Sequence, residues 1–374
     1  MPLPDTCLAA VFDRPHTAMQ LQRFTLPRAL PPGGVLCRVL LSTICGSDLH
    51  TTLGRRVEPA PSILGHESVG EVVAADAAAR YWDGSKLSVG DRVSWSIMAA
   101  CGICALCCRG LPQKCVALRK YGHSATDVWP SLTGGYAEFI YLFPGTGIFR
   151  VPDALPDEVA APANCALATV LCAVEAIGGV TPGEAVLILG AGLLGTYLAA
   201  LCAEAGASAV MVADQDPARA EAARRFGATD VLGGRCDPSD VAQWARDRTG
   251  GAGVALAFEV CGAPEVISAG IEAMRTGGRF AIAGLVTPKS EFALDGNVLT
   301  RKLLTLRGIH NYHPRHLGEG LAFLARTSQK YPYAELVSPV FPLTEINHAF
   351  EVAQCNGAPR VGLRCTPVVA SEIA

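Results

Sequence analysis

Four cysteines fall within 15 residues at Cys101, Cys104, Cys107 and Cys115, a C-x2-C-x2-C-x7-C run. Thiolates at this spacing can close a tetrahedral zinc site on one loop, structural because every ligand position is filled; reduced unliganded thiols and an iron–sulfur cluster are the alternatives. Cys108 is left over as a spare thiol. Upstream, Cys45-Gly46-Ser47-Asp48-Leu49-His50 brings a thiol, a hydroxyl, a carboxylate and an imidazole together. Gly65-His66-Glu67 adds a second imidazole and an acid. Taken singly, each of these groups reads more often as a core or surface side chain than as a metal ligand.

Gly190-Ala191-Gly192-Leu193-Leu194-Gly195 is a G-x-G-x-x-G run between an apolar strand and an Ala/Leu-rich helix. In that setting Gly190, Gly192 and Gly195 allow a tight turn, and a pyrophosphate can approach backbone N–H groups around Leu193 and Leu194 at the helix N-terminus. Asp214 follows Gly195 by 19 residues, at the end of the next predicted strand. There a carboxylate accepts from the adenosine ribose hydroxyls and repels a 2′-phosphate, which favours NAD over NADP. Arg219 is near enough in sequence to contact the ribose.

These groups need a scaffold, and the chain can supply one. Its 374 residues exceed one ordinary core and predict two domains. Half the residues are hydrophobic and 17% are charged, which excludes a disordered or fibrous chain. A net charge of −3 offers no field for polyanions, so nucleic acid is not expected as a partner. Up to about residue 165 short apolar runs (Val35–Leu41, Val69–Ala74, Arg92–Trp95) alternate with turn residues, which predicts a β-rich domain. Strands at Ala185–Leu189, Ala209–Ala213, Val254–Glu259, Arg279–Gly284 and Leu303–Gly308 then alternate with helices near Pro238–Thr249 and Glu265–Arg275. That rhythm predicts an α/β doubly wound parallel sheet. Asp216-Pro217 marks a helix start. The uncharged stretch Ala185–Ala203 is rejected as a membrane span because glycines interrupt it. Fifteen cysteines cannot all pair within one chain, and no secretory pattern opens the sequence. A reducing, cytoplasmic compartment is therefore expected, with no membrane partner.

Taken together, C-G-S-D-x-H, G-H-E-x-x-G, the four-cysteine loop, Gly134-Gly135-Tyr136-Ala137-Glu138 and the nucleotide fold, in that order, resemble the zinc-dependent medium-chain alcohol dehydrogenases over essentially the whole chain. The resemblance implies a GroES-like catalytic domain in residues 1–166, an NAD-binding Rossmann domain in 167–309, and a return to the catalytic domain in 310–374. It implies two zinc ions, one catalytic on Cys45, His66 and Cys165 and one structural on the cysteine loop. Glu67 corresponds to the carboxylate beside the catalytic metal, which in some members becomes a ligand. Asp48 would hold His66, Ser47 would take the substrate proton, and His50 would pass it to solvent. Cys165 leans toward the alcohol-type ligand set, because polyol and threonine branches commonly carry Glu there. Asp76 departs from the Gly or Ala usual after that strand and implies a rearranged turn. A homodimer or homotetramer is expected.

The runs Gly110–Cys115, Leu118–His123 and Ala161-Pro162-Ala163 resemble a branch associated with phosphonate catabolism. A phosphonate-bearing alcohol would need cationic donors, for which Arg55, Arg56, His123 and His310 are candidates. Formaldehyde-, polyol- and cyclitol-type zinc dehydrogenases share the chemistry and stay open as alternatives. A zinc-free quinone reductase would lack Cys45, Cys165 and the cysteine loop. A non-enzymatic zinc module would need longer-spaced cysteine pairs and a basic face.

Overall fold

The computed structural model describes residues 3–127, 129–355 and 359–365, and they form two compact units. The first takes the described residues within Met1–Ala168, His313–Ser328 and Tyr333–Ala374; the second takes Thr169–Tyr312 and Gln329–Pro332.

The first unit is built on an eight-stranded sheet. Its path runs Val337–Pro342, Arg360–Arg364, Val35–Thr43, Glu67–Ala75, Arg92–Ala99 and Arg119–Lys120, with Phe139–Leu142 and Thr146–Arg150 paired alongside. A three-stranded sheet (Gln20–Thr25, Thr6–Phe12, Ser62–Ile63) completes it. Register decides what the large sheet can position. Thr43 pairs with Glu67 on one side and with Gly362 on the other. The exit of one strand, toward Cys45, thus lies beside the entry of two neighbours at Glu67 and Arg360. Alternation along Val35–Thr43 sends its apolar side chains into a core with Trp95, Tyr121, Tyr136 and Tyr141.

The second unit is a six-stranded parallel sheet in the order Asp230–Gly233, Ala209–Asp214, Ala185–Leu189, Val254–Glu259, Met274–Ile282, Thr305–Gly308. The order in which successive strands are added switches sides between the parallel neighbours Ala185–Leu189 and Val254–Glu259, the kind of switch point where α/β sheets bind ligands. Val254–Glu259 is buried throughout, as expected for a strand covered on both faces. The helix predicted near Pro238–Thr249 spans Pro238–Arg248, and the one predicted at Glu265–Arg275 spans Val266–Ala273. Met274 already belongs to the following strand, which begins five residues before Arg279. The short strand Asp230–Gly233 was not anticipated. Among the described residues no single helix is long and apolar enough to cross a membrane. The uncharged stretch resolves into the strand Ala185–Leu189, a turn and the helix Leu193–Glu204.

Candidate active site

Cys45 ends the approach from Val35–Thr43 and stands at the N-cap of the helix Gly46–Thr52. Its N–H donates to Asp48 Oδ2 at 3.0 Å, which locks the turn that presents the thiol. His66 immediately precedes the strand Glu67–Ala75. Gly65 adopts φ +87°, and a Cβ there would lie 2.7 Å from the Tyr136 ring, so only glycine lets the chain pass. Cys165 follows the short helix Ala161–Asn164, anchored where Asn164 Nδ2 donates to the Trp95 carbonyl at 3.0 Å. Turn, strand entry and helix end thus bring Cys45, His66, Glu67 and Cys165 together, with one ligand atom of each within 4.8 Å of the others.

Around them the polar groups are heavily partnered. His66 Nδ1 faces Asp48 Oδ1 at 3.6 Å, while Nε2 lies 3.4 Å from the Ser47 hydroxyl. The Tyr136 hydroxyl donates to Asp48 Oδ2 at 2.8 Å. Glu67, fully buried, accepts from Thr43 Oγ1 at 2.6 Å and from Arg360 Nε and Nη2 at 2.7 and 2.8 Å. Arg360 Nη2 also reaches the Cys45 sulfur at 3.6 Å. A hydrogen bond from the Cys165 thiol, against the effect of burial and with help from Arg360, holds the Cys45 thiol well below its ordinary range. Burial opposes charge on His66, yet Asp48 and Cys45 push it up to about 10. The Cys45 thiol is thus held toward the thiolate form that binds a metal, and two thiols with an imidazole are the donor set that suits zinc.

The second cluster is a loop. Sulfur–sulfur distances are 3.5 Å for Cys104–Cys107, 3.9 Å for Cys104–Cys115 and 3.4 Å for Cys115–Cys101. Backbone N–H groups of Cys101 and Ala117 donate to the Cys115 sulfur at 3.3 and 3.4 Å, as they would to a thiolate. Backbone N–H groups of Cys107 and Val116 bring Cys104 down to about 6. The Cys108 thiol turns away, toward the Ile103 carbonyl at 3.5 Å.

In the parallel sheet the glycine turn has the shape a dinucleotide needs. Gly190 sits at φ +111°, a Cβ on Gly195 would fall 1.8 Å from the Gly190 carbonyl oxygen, and Gly192 faces open space. Leu193 opens the helix and is buried; Leu194 is half-buried. Asp214 ends its strand and is tied to this turn, accepting from the Ala191 N–H at 2.7 Å and the Asp216 N–H at 2.8 Å. Arg219 is half-exposed, with Nε 3.5 Å from the Asp216 carboxylate. Asp216 itself caps the helix Pro217–Ala222.

His50 lies in the last turn of the helix that follows Cys45, half-buried, with Nδ1 lacking a hydrogen-bond partner among the described residues. Burial and the nearby Arg55 lower its pKa. Of the four cationic candidates, His123 packs its ring 5.5 Å from His66, and Arg56 pairs with Glu58 at 2.5 Å. Arg55 is exposed, and His310 is exposed in the other unit. Asp76 closes its turn by accepting from Gly33 and Ala78 N–H groups at 2.7 and 2.9 Å. Sequence reasoning missed Arg360, Thr43, Glu58 and the role of Tyr136. Nothing local signals Arg360, which stands 293 positions from its partner Glu67.

Comparison with known proteins points the same way. Residues 31–153 match the alcohol dehydrogenase GroES-like domain, and residues 194–326 match the zinc-binding dehydrogenase family. The 5-exo-hydroxycamphor dehydrogenase of Pseudomonas putida is 30% identical over 91% of this chain and 93% of its own length. The L-threonine 3-dehydrogenase of Pyrococcus horikoshii is 32% identical over 87% of this chain and 88% of its own. An alcohol dehydrogenase structure from Thermotoga maritima superposes with a TM-score of 0.89 at 28% identity, covering 96% of this chain and 99% of that one. With both domain families in order and a full-length relationship at this identity, the chain belongs to the zinc-dependent medium-chain alcohol dehydrogenase family.

Proposed function

We propose that the protein oxidises an alcohol, or reduces the matching carbonyl, with NAD(H) at a zinc site formed by Cys45, His66 and Cys165, and that a second zinc closes the Cys101–Cys115 loop. The observation that carries this reading is the buried set of two thiols and one imidazole, partnered by Asp48, Glu67 and Arg360. Cys45, His66 and Cys165 would hold the zinc, which when bound would supply Lewis-acid chemistry toward a substrate hydroxyl, with a nicotinamide as the hydride acceptor. Asp48 orients His66, and Arg360 holds Glu67 beside the site. Ser47, within hydrogen-bond reach of the His66 ring, takes the proton, and His50 delivers it to solvent. The resemblance to the phosphonate-associated branch makes an alcohol bearing a phosphonate the substrate to test first.

The experiment is a dehydrogenase assay of zinc-loaded protein with NAD against short alcohols, including 2-hydroxyethylphosphonate, alongside metal analysis. About two zinc per chain with NAD-dependent turnover is expected. Full zinc content without oxidation of any alcohol would overturn the reading.

The proton path has its own test. Ser47→Ala should lower kcat by roughly 10²-fold or more while zinc and NAD still bind. His50→Gln should cost less, and chiefly at low pH, where hydroxide cannot substitute for the imidazole. Because burial lowers the pKa of His50, the wild-type acid limb should lie below the usual histidine value of about 6.5. Added buffer bases should restore part of the variant's rate. An unchanged pH–rate profile in His50→Gln would remove that residue from the path.

Cofactor choice rests on Asp214. Its carboxylate would repel a 2′-phosphate, so NADP should be the poorer cofactor. Asp214→Ser should shift the NADP/NAD ratio of kcat/KM upward by about 10-fold or more. It should also raise the KM for NAD, because the Ala191 N–H loses its acceptor. Equal use of both cofactors by the wild type would contradict this role.

A further inference from the structure

The strand Val254–Glu259 ends on a carboxylate that the zinc site does not use. Glu259 is fully buried and pairs with Leu189 on one side and Ile282 on the other. A carboxylate is tolerated in the interior only where donors surround it, and here they come from two turns. Oε1 accepts from the N–H groups of Cys261 and Gly262 at 2.9 and 2.6 Å. Oε2 accepts from the Gly284 N–H at 2.9 Å. One side chain therefore joins the turn after its own strand to the turn after Met274–Ile282.

The junction leaves no slack. A Cβ on Gly284 would fall 2.3 Å from Glu259 Oε1, and one on Gly262, at φ +76°, would fall 3.0 Å from the Gly284 carbonyl oxygen. Toward the nucleotide turn the packing is as close. A Cβ on Gly190 would lie 2.9 Å from the Cys261 Cβ and 3.1 Å from the Cys261 nitrogen. Contacts thus run without a break from Glu259 through Cys261 to Gly190.

The sheet order fixes how a dinucleotide would lie over these turns. The glycine turn after Ala185–Leu189 suits the pyrophosphate, and Asp214 suits the adenosine ribose at the end of Ala209–Asp214, the neighbour on one side. The second nucleotide then extends to the other side, over the ends of Val254–Glu259 and Met274–Ile282. Those ends are the two turns that Glu259 holds.

We propose that Glu259 is a positioning residue for the nicotinamide half of the cofactor, its carboxylate holding residues 260–262 and 283–284 as the surface on which that half lies. This deepens the proposed use of NAD(H) and rests on it. Glu259 touches no reacting atom and changes no bond. It orders two turns before the cofactor arrives, so that binding does not have to order them and the ring is held for hydride transfer.

The test separates the two halves of the cofactor. NADH binding is followed by fluorescence titration and AMP binding by calorimetry, on zinc-loaded wild type, Glu259→Gln and Gly284→Ala. An amide has one acceptor oxygen and two N–H donors, so Glu259→Gln sets a donor against a backbone N–H in one of the two turns. Its Kd for NADH should rise by about 10-fold or more, while its Kd for AMP, which lacks the nicotinamide nucleotide, should change by less than about threefold. Gly284→Ala presses a methyl group against the carboxylate without removing it. It should show the same split between NADH and AMP, and it carries the test if Glu259→Gln does not fold. Equal weakening of NADH and AMP, as a general loss of structure would produce, or unchanged NADH binding in both variants, would overturn the role of Glu259. A wild type that binds AMP but not NADH would instead count against the proposed cofactor.

Discussion

Replacing Cys45 by Ser should lower turnover by at least about 10³-fold while the protein remains folded. The size follows from Lewis-acid stabilisation, worth several kcal/mol, with each 1.4 kcal/mol a factor of about ten in rate. The fold should survive because the local structure depends on the Cys45 backbone: its N–H donates to Asp48, and serine is itself a favoured N-cap. Zinc content should fall by about one per chain. Cys104→Ser should behave in the opposite way. It removes a ligand from a loop whose four thiols lie within 4.8 Å of one another, so thermal stability should fall and become sensitive to chelator while the open site keeps its metal. Metal analysis, melting curves and kcat on the two variants check both statements. Turnover of Cys45→Ser within tenfold of wild type would remove Cys45 from the catalytic set. Equal loss of activity and stability in both variants would erase the distinction between a closed and an open site.

The second large effect concerns Arg360. Arg360→Met would leave the carboxylate of Glu67, fully buried, with the Thr43 hydroxyl as its one side-chain hydrogen-bond partner among the described residues. Removing one member of a buried, doubly hydrogen-bonded ion pair costs about 3–5 kcal/mol, since the remaining charge is stranded away from water. For a chain of this size that is a fall in Tm on the order of 10 °C. Adding Glu67→Gln to the same chain should recover a large part of the loss, because a neutral amide is far cheaper to bury. Differential scanning calorimetry on the single and double variants measures this. A loss below about 1 kcal/mol, or a double variant less stable than Arg360→Met, would show that the pair contributes little. Thr43→Val, which removes only the neutral donor to Glu67, should cost about 1–3 kcal/mol and provides the scale for comparison.

Much of the fold was legible where signals are short-ranged. Asp216 before Pro217 announced a helix start, and the carboxylate accepts from the Ala218 and Arg219 N–H groups. The apolar run Ala185–Leu189 leading into the glycine turn announced the central parallel strand, which pairs with Ala209–Asp214 and Val254–Glu259. The boundary near Met274 was misplaced because Met-Arg-Thr-Gly-Gly carries no alternation or strong strand propensity. Its place in the sheet is set by pairing of Met274 with Val254.

The sequence by itself determined what depends on neighbours within a turn or a loop. The four cysteines between Cys101 and Cys115, the glycines from Gly190 to Gly195 and the caps of the helices all act through spacing along the chain, and spacing is visible without coordinates. Only the tertiary structure decided which distant groups surround the reactive ones. Register pairs Thr43 with Glu67 and with Gly362, and so brings Arg360 across 293 positions to the carboxylate of Glu67. The fold also ties Asp214 to the glycine turn, where its carboxylate accepts from the Ala191 N–H. The physical reason is that a buried charge is tolerated only where folding supplies its partner, and no local pattern in the chain records which partner folding will bring.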